Sequence, residues 1–241
     1  VWRVPELRKK VLYTFFMLLI FRLVSVIPVP GVDAAAIGAA MKDYDILSLM
    51  NMMTGSALSQ MTIMAMGISP YINASIIMQL LCIAIPALEK LQKEGGEEGK
   101  KKITQITRYV TVVLAALQAI GLISAFPVGL EAGYNNFFGK LFIGIVMAGG
   151  TALAMWIGER ITKNGIGNGI SLLIFSGIVI NLFNSFLGNI VGLFNGGSTI
   201  WNLLIMVVSI LVILVVVTIV DMSERRISVQ YAKRVVGRKM Y

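Results

Sequence analysis

Apolar residues along this chain fall into six long runs, separated by short stretches where the charges collect. The runs cover residues 11–29, 46–87, 103–126, 141–158, 170–194 and 200–220. A bilayer's hydrocarbon core takes about 20 residues of helix, so five of these runs read as single spans. The second is roughly twice that length. It is also interrupted, by Asn51, Thr54, Gly55, Ser56, Ser59, Gln60, Gly67, Ser69, Pro70, Asn73, Ser75 and Gln79. Glycine and proline among so many hydroxyls and amides point to a broken or re-entrant element that faces protein or water. We read residues 46–60 as a short segment entering from one side and residues 62–87 as a full span. The pattern predicts an all-α polytopic membrane protein, six transmembrane helices plus a short re-entrant helix. A second interruption is expected at the glycines before residue 170.

Composition agrees. Hydrophobic residues make up 57% of the chain and charged residues 14%, where soluble domains carry about 25% charged. A net charge of +9 would suggest nucleic acid in a soluble protein, but its placement changes the meaning. Arg3, Arg8, Lys9 and Lys10 precede the first run; Lys90, Lys93, Lys100, Lys101, Lys102 and Arg108 follow the second. Arg160 and Lys163 follow the fourth, and Arg225, Arg226, Lys233, Arg234, Arg238 and Lys239 the sixth. The opposite loops hold only Lys42 and Lys140. Cytoplasmic loops carry the excess of lysine and arginine, so both ends of this chain are expected in the cytoplasm. Residues 90–102 read as a solvated hairpin tip. Residues 11–29 are too long for a signal peptide and lack a small-residue cleavage site. The chain starts at Val1 and stops at Tyr241 inside a basic stretch, so a piece of a longer protein is expected.

Little catalytic chemistry is available. There is no histidine, which removes the commonest general base and metal ligand. Cys82 is alone, so no disulfide or thiolate cluster is expected. No carboxylate sits in the middle of a run, and a proton relay has no acid to use. We expect no enzyme, metal or cofactor. The turn Asn164-Gly165-Ile166-Gly167-Asn168-Gly169 could cradle phosphate, but no strand precedes it and no acidic ribose partner follows. A tight turn between closely approaching helices is the favoured reading. Gly99-Lys100 lacks the remaining residues of a phosphate loop.

Arg22 lies within the first run, where a charge costs several kcal/mol unless paired or hydrated. Its guanidinium can donate to the free carbonyls of a broken helix, and a structural role is favoured. Methionines gather at Met50, Met52, Met53, Met61, Met64, Met66 and Met78; they suit either ordinary packing or a surface that accepts varied apolar partners. Ile68 and Ile72 share one helix face, and so do Ile170 and Ile174. Such pairs are packing residues elsewhere. Beside two breaks they could line a hydrophobic constriction that closes by dewetting.

Longer stretches carry a resemblance. They include Phe21-Arg22, Ile27-Pro28-Val29-Pro30-Gly31, Thr54-Gly55-Ser56-Ala57-Leu58-Ser59 and Met66-Gly67-Ile68-Ser69-Pro70-Tyr71-Ile72-Asn73-Ala74-Ser75. Further on stand Gly96-Glu97-Glu98-Gly99-Lys100, Trp156-Ile157-Gly158-Glu159-Arg160, Gly165-Ile166-Gly167-Asn168-Gly169-Ile170-Ser171 and Tyr231-Ala232-Lys233-Arg234. In these the chain resembles the SecY family, the channel subunit of the bacterial protein translocon. The family's plug motif often has glycine where Ser56 stands and a basic residue where Gln60 stands.

The resemblance implies a ten-helix channel of two pseudo-symmetric halves around an hourglass pore. Residues 1–10 would be a cytoplasmic segment, 11–194 the first half, 195–220 the sixth helix and 221–241 part of a basic cytoplasmic loop. Residues 46–60 would be the plug, with Leu47, Leu49, Met50, Asn51, Met53, Thr54 and Gly55. Ile68, Ile72, Ile170 and Ile174 would belong to the pore ring, and Gln79 with Ser75 to a lateral gate. Lys100, Lys101, Lys102, Arg225, Arg226, Lys233, Arg234, Arg238 and Lys239 would dock the ribosome or the SecA motor ATPase. SecE, SecG, signal peptides, nascent chains and lipids are the other implied partners.

The implied function is translocation of secretory polypeptides across the bacterial plasma membrane, with lateral release of membrane-protein segments into it. A different class, a secondary transporter of a small solute, also uses broken helices at mid-membrane. It would need an ionisable cluster at the break, where this sequence has only amides and hydroxyls.

Overall fold

Pro70 and Pro86 decide how the longest apolar run is cut. Proline has no N–H to give a helix, and its ring clashes with the carbonyl four residues back. A helix containing Pro70 can therefore begin only just before it, and Ile85, the residue preceding Pro86, is pushed out of the helical region. The computed structural model describes residues 4–41, 44–126, 129–131, 133–194, 200–224, 235–236 and 239–240. In it the helix runs Ser69–Ala84, and Ile85 is extended (φ −107°, ψ 112°). A second helix, Pro86–Lys93, leaves at 101° to the first. The full span expected over residues 62–87 is thus corrected at both ends.

The elements in order are α1 (Pro5–Val24), α2 (Ala34–Met41), α3 (Asp45–Met53), α4 (Ser69–Ala84), α5 (Pro86–Lys93), α6 (Gly96–Ala125), α7 (Phe137–Asn164), α8 (Gly169–Phe194) and α9 (Ile200–Asp221). A two-stranded antiparallel pair follows, β1 (Val235–Val236) against β2 (Lys239–Met240), which an all-helical reading did not include. The chain forms two compact units, Val1–Asn184 and Ser185–Tyr241.

Among the described residues, α6, α7, α8 and residues Leu203–Asp221 are long and apolar enough to cross a membrane. The bent pair α4 and α5 makes a fifth if taken as one broken span. The six expected spans included α1, which falls outside this set. It carries Glu6, Arg8, Lys9 and Lys10 in its first turns and Arg22 near its end.

Three further elements differ from expectation. The stretch read as a loop after residue 30 holds α2, whose first amides are capped: Ala35 and Ala36 donate to Asp33 Oδ1 at 2.9 and 3.3 Å. Aspartate before an alanine-rich run is the N-cap signal. The hairpin tip expected over residues 90–102 is narrower than that: the turn is confined to Glu94 and Gly95, and Lys100, Lys101 and Lys102 lie on α6. Glu97 and Glu98 fall in its first turn, where negative charge favours the helix dipole. Finally, α8 is continuous from Gly169 to Phe194; the glycines expected to interrupt it lie ahead of it.

Within the first unit the helices approach through small residues, as they must where lipid offers no hydrophobic drive for association. The buried stripe of α6 is Gly99, Thr107, Thr111, Ala115, Ala119 and Ile123. It packs against α7, whose buried face includes Ile143, Gly144, Met147, Thr151 and Ala154. Thr107 and Thr111 return their hydroxyls to the carbonyls of Ile103 and Thr107 at 2.8 and 2.7 Å, which removes two polar groups from the apolar seam. At one end Arg108 grips Glu159 by two bonds, Nε to Oε1 at 2.8 Å and Nη2 to Oε2 at 2.6 Å.

The core of this unit is an irregular segment. Residues 54–67 carry no long helix, yet Thr54, Ala57, Leu58, Met61, Thr62, Met64, Ala65 and Met66 are buried. Their backbone partners come from within and from α1's exit strand. Val29 donates to the Met61 carbonyl at 2.9 Å, and Ile63 to that of Ile27 at 2.9 Å. The other face of the segment lies on α7, where a Cβ at Gly150 would collide with the Ile63 carbonyl.

In the second unit, α9 is predominantly apolar, and none of its described side chains is fully buried, with Leu203, Met206 and Ile210 half-buried.

Gly150→Ala is expected to destabilise the fold by about 1–3 kcal/mol through overpacking against backbone that cannot rotate away. Gly149→Ala, whose Cβ would meet nothing within 4 Å, is expected to be neutral or slightly stabilising. Thermal inactivation of the detergent-purified protein carrying each change separates the two.

Candidate functional site

Four of the isoleucines singled out from the sequence meet in one apolar cluster. Ile68 occupies the N-cap position of α4 (φ −101°, ψ −1°) and is 6% exposed. Ile72 stands one turn further on, and Ile170 and Ile174 are one turn apart on α8. They pack with Met17, Phe21, Met64, Ile157, Ile161 and Leu173. The close approach of α8 is permitted by glycine: a Cβ at Gly169 would collide with the Gly158 carbonyl of α7. The turn between these helices is tight, as expected. Asn168 Oδ1 accepts the amide of Ile170 at 3.0 Å, and the Gly169 amide donates to Thr162 Oγ1 at 2.9 Å. Both Asn168 and Gly169 serve the helix start.

The end of α3 lies on this cluster. Met53 and Thr54 share with Phe21, Gly67, Ile68, Ser69, Leu173 and Ile174 the border of a cavity of about 10 Å³. That is at the lower limit of about 10–15 Å³ for one water. The cavity's wall is predominantly apolar.

The helix expected within residues 46–60 is α3, Asp45–Met53; the remainder is turn. It ends in a Schellman arrangement, with Gly55 at φ +66°. The Ser56 amide reaches back to the Asn51 carbonyl at 2.9 Å, and the Gly55 amide to that of Met52 at 3.3 Å. Glycine at this position is what the left-handed conformation requires. Thr54 and Gly55 are buried, whereas Leu47, Met50, Asn51 and Met53 are half-buried and Leu49 is exposed. No residue of α3 is fully buried. On one side Leu47 and Met50 border a cavity of about 480 Å³ together with Met66, Gln118, Leu122 and Phe126.

Polar contacts close this helix end. Arg22 of α1 donates from Nη1 to the Gly55 carbonyl at 3.1 Å, the use of the guanidinium that the sequence suggested. Asn181 of α8 donates from Nδ2 to the Met52 carbonyl at 2.9 Å and accepts the Ser56 hydroxyl at Oδ1, 2.7 Å away. Sequence reasoning passed over Asn181. The signal was an amide one helical turn after Gly177 in a largely apolar run that also holds Asn184 and Asn189, a position where a polar group has to be explained.

Gln79 and Ser75 sit together on α4 and border a cavity of about 170 Å³ with Tyr71, Cys82, Gln92 and Thr104. Lys100, Lys101 and Lys102 are exposed at the start of α6. Arg225, Arg226, Lys233, Arg234 and Arg238 lie outside the described residues. Lys239 pairs with Val236 between β1 and β2.

The family model described as SecY matches residues 62–241. A protein translocase subunit SecY of Corynebacterium glutamicum is 42% identical over 249 residues, covering 98% of this chain and 55% of the relative. The SecY subunit of Buchnera aphidicola subsp. Acyrthosiphon kondoi is 41% identical over 242 residues, covering 98% of this chain and 68% of the relative. The chain spans little more than half the length of the first of these.

Three solved structures share the fold. One, described as a protein conducting channel, has a TM-score of 0.64 at 20% identity, covering 90% of this chain and 48% of that one. Sec61 in the canine ribosome-channel complex from the endoplasmic reticulum gives 0.61 at 20%, with 94% and 50% covered. A SecY structure whose plug domain is described as stabilising the closed channel and maintaining a membrane seal gives 0.63 at 21%, with 88% and 46% covered. The family match over most of the chain, with relatives above 40% identity, shows that this chain belongs to the SecY family.

Proposed function

We propose that this chain forms one half of a protein-conducting channel in the bacterial plasma membrane, with Ile68, Ile72, Ile170 and Ile174 in its constriction and α3 as its plug. The observation that carries this reading is the contact of α3's end with the isoleucine cluster around a cavity too small for bulk water. At rest the apolar wall excludes ions. During passage the same side chains, which make no directional bonds, can re-pack around an extended polypeptide of any sequence. Family membership supports translocation of secretory polypeptides. The solute-transporter alternative finds no support among the relatives.

Release of hydrophobic segments would occur beside α4, where Gln79 and Ser75 border a polar cavity next to α6. The plug must move for any passage, and α3 suits this because none of its residues is fully buried; elements with few buried contacts open at least cost. The exposed Lys100, Lys101 and Lys102 would dock a ribosome or SecA on the basic, cytoplasmic side. The basic residues at 225–239 would extend that face. The canine Sec61 neighbour in a ribosome-channel complex supports a ribosome partner. SecE and SecG would complete the translocon, with signal peptides, nascent chains and membrane lipids as its transient contacts. Both ends of this chain would be cytoplasmic, on the distribution of lysine and arginine.

Two measurements test the assignment. With cysteine introduced as Ile72→Cys, a secretory chain stalled in the complete channel is expected to cross-link at that position. Cross-linking at Lys101→Cys alone, with none at Ile72→Cys, would remove Ile72 from the pore. Burying one isoleucine is worth about 1.5–3 kcal/mol, so Ile174→Asn is expected to raise resting ion conductance of proteoliposomes by roughly ten- to a hundredfold. Unchanged conductance would put the seal elsewhere.

A further inference from the structure

We infer that Asn181 is a positioning residue for the closed channel: from α8 its carboxamide clasps the C-terminal end of α3 and sets how readily the plug departs. The inference rests on the channel reading above. Its evidence is the geometry of α8.

Both ends of the Asn181 side chain are used. Oδ1 accepts the Ser56 hydroxyl at 2.7 Å, and Nδ2 donates to the Met52 carbonyl at 2.9 Å. The partners lie 125 and 129 residues away in sequence, so these bonds exist only while α3 is seated. The Met52 carbonyl belongs to the last turn of α3, where helix geometry leaves carbonyls short of partners. Its bond from the Gly55 amide is long, 3.3 Å, and the Asn181 amide supplies the shorter one.

One turn before Asn181, on the same face of α8, stands Gly177. It is buried, and a Cβ there would collide with the Met53 carbonyl. The one residue provides backbone clearance and the other provides hydrogen bonds. Two features of α8 at helical spacing thus fit the same short stretch, Met52 to Ser56.

Ser56 adds a third observation. It is a non-glycine residue at φ +70°, a conformation that is costly for an L-residue and nearly free for glycine. Glycine would suit the turn better. What serine contributes there is the hydroxyl that Asn181 accepts. α3 has no fully buried residue; besides the packing of Leu47 and Met50, these bonds hold its end, and Arg22 on the Gly55 carbonyl supplies a third from another helix.

The test uses the complete gene product with its partner subunits in proteoliposomes and reads resting ion conductance. A net contribution of about fivefold per hydrogen bond predicts roughly a 25-fold increase for Asn181→Ala and about fivefold for Ser56→Ala. The double variant is expected to equal Asn181→Ala, since the bond to Ser56 is then already absent. Ser56→Gly separates a clasp from a structural role by its background: relief of the left-handed conformation acts equally with or without Asn181, so a merely structural serine predicts the same change in both backgrounds, whereas the clasp predicts about fivefold more leak from Ser56→Gly with Asn181 present than with Asn181→Ala. Independent, multiplying effects of the two alanine changes, the same effect of Ser56→Gly in both backgrounds, or no leak from Asn181→Ala would overturn the clasp. Deletion of residues 46–53 separates the two readings. If it leaks while Asn181→Ala does not, only the clasp fails; if it too leaves conductance unchanged, the plug reading and the clasp both fail.

Discussion

Backbone amides and carbonyls that enter a membrane outside a helix must find partners inside the protein, because the hydrocarbon offers none. Residues 54–67 meet that demand. Their amides return to carbonyls a few residues back, as in Thr62 to Ala57 and Gly67 to Met64, and edge bonds join Val29 and Ile63 to neighbouring strands of chain. Their side chains, methionines and small residues above all, fill the centre of the first unit. Everything else there is arranged around this buried, non-helical backbone. It is why α7 carries glycine at position 150.

The cost of such a core is close packing. Gly169 on Gly158, Gly177 on Met53 and Gly150 on Ile63 are three places where backbone meets backbone with no room for a methyl group. Small residues at helix contacts are the rule in membranes, where dispersion and complementary shape carry the association. Threonine hydroxyls along α6 fold back on their own helix, which satisfies them within the α6–α7 seam.

As the proposed plug, α3 would face opposing demands. A seal would ask for a tight fit against the isoleucines, and passage for an element that can leave. Met53 and Thr54 border the isoleucine cluster, while α3 has no fully buried residue and a cavity beside it. A few directional bonds at one end, from Arg22 and Asn181, would then hold it. Directional bonds suit such a role because they are lost over a short displacement, while apolar contact falls away gradually.

Much of this was legible in the chain. The apolar runs of residues 103–126, 141–158, 170–194 and 200–220 became α6 to α9, because a helical run of that length and apolarity has few other solutions in lipid. The interruption at residues 54–70 announced irregular backbone, and Arg22 announced a need for carbonyl partners. Both prolines that bound α4 were in plain view, as was Asp33 ahead of α2; they were outweighed by unbroken hydrophobicity, which reports burial and not helicity. What sequence could not supply is the meeting of distant residues. Asn181 is one of three asparagines in an apolar run until α8 is laid beside α3, and Ile68 and Ile174 are ordinary packing residues until α3 ends on them. Local rules fix where helices start and stop, since caps and prolines act within a turn. Which helix faces which depends on backbone clearance at Gly158, Gly169 and Gly177, and only the tertiary structure decides that.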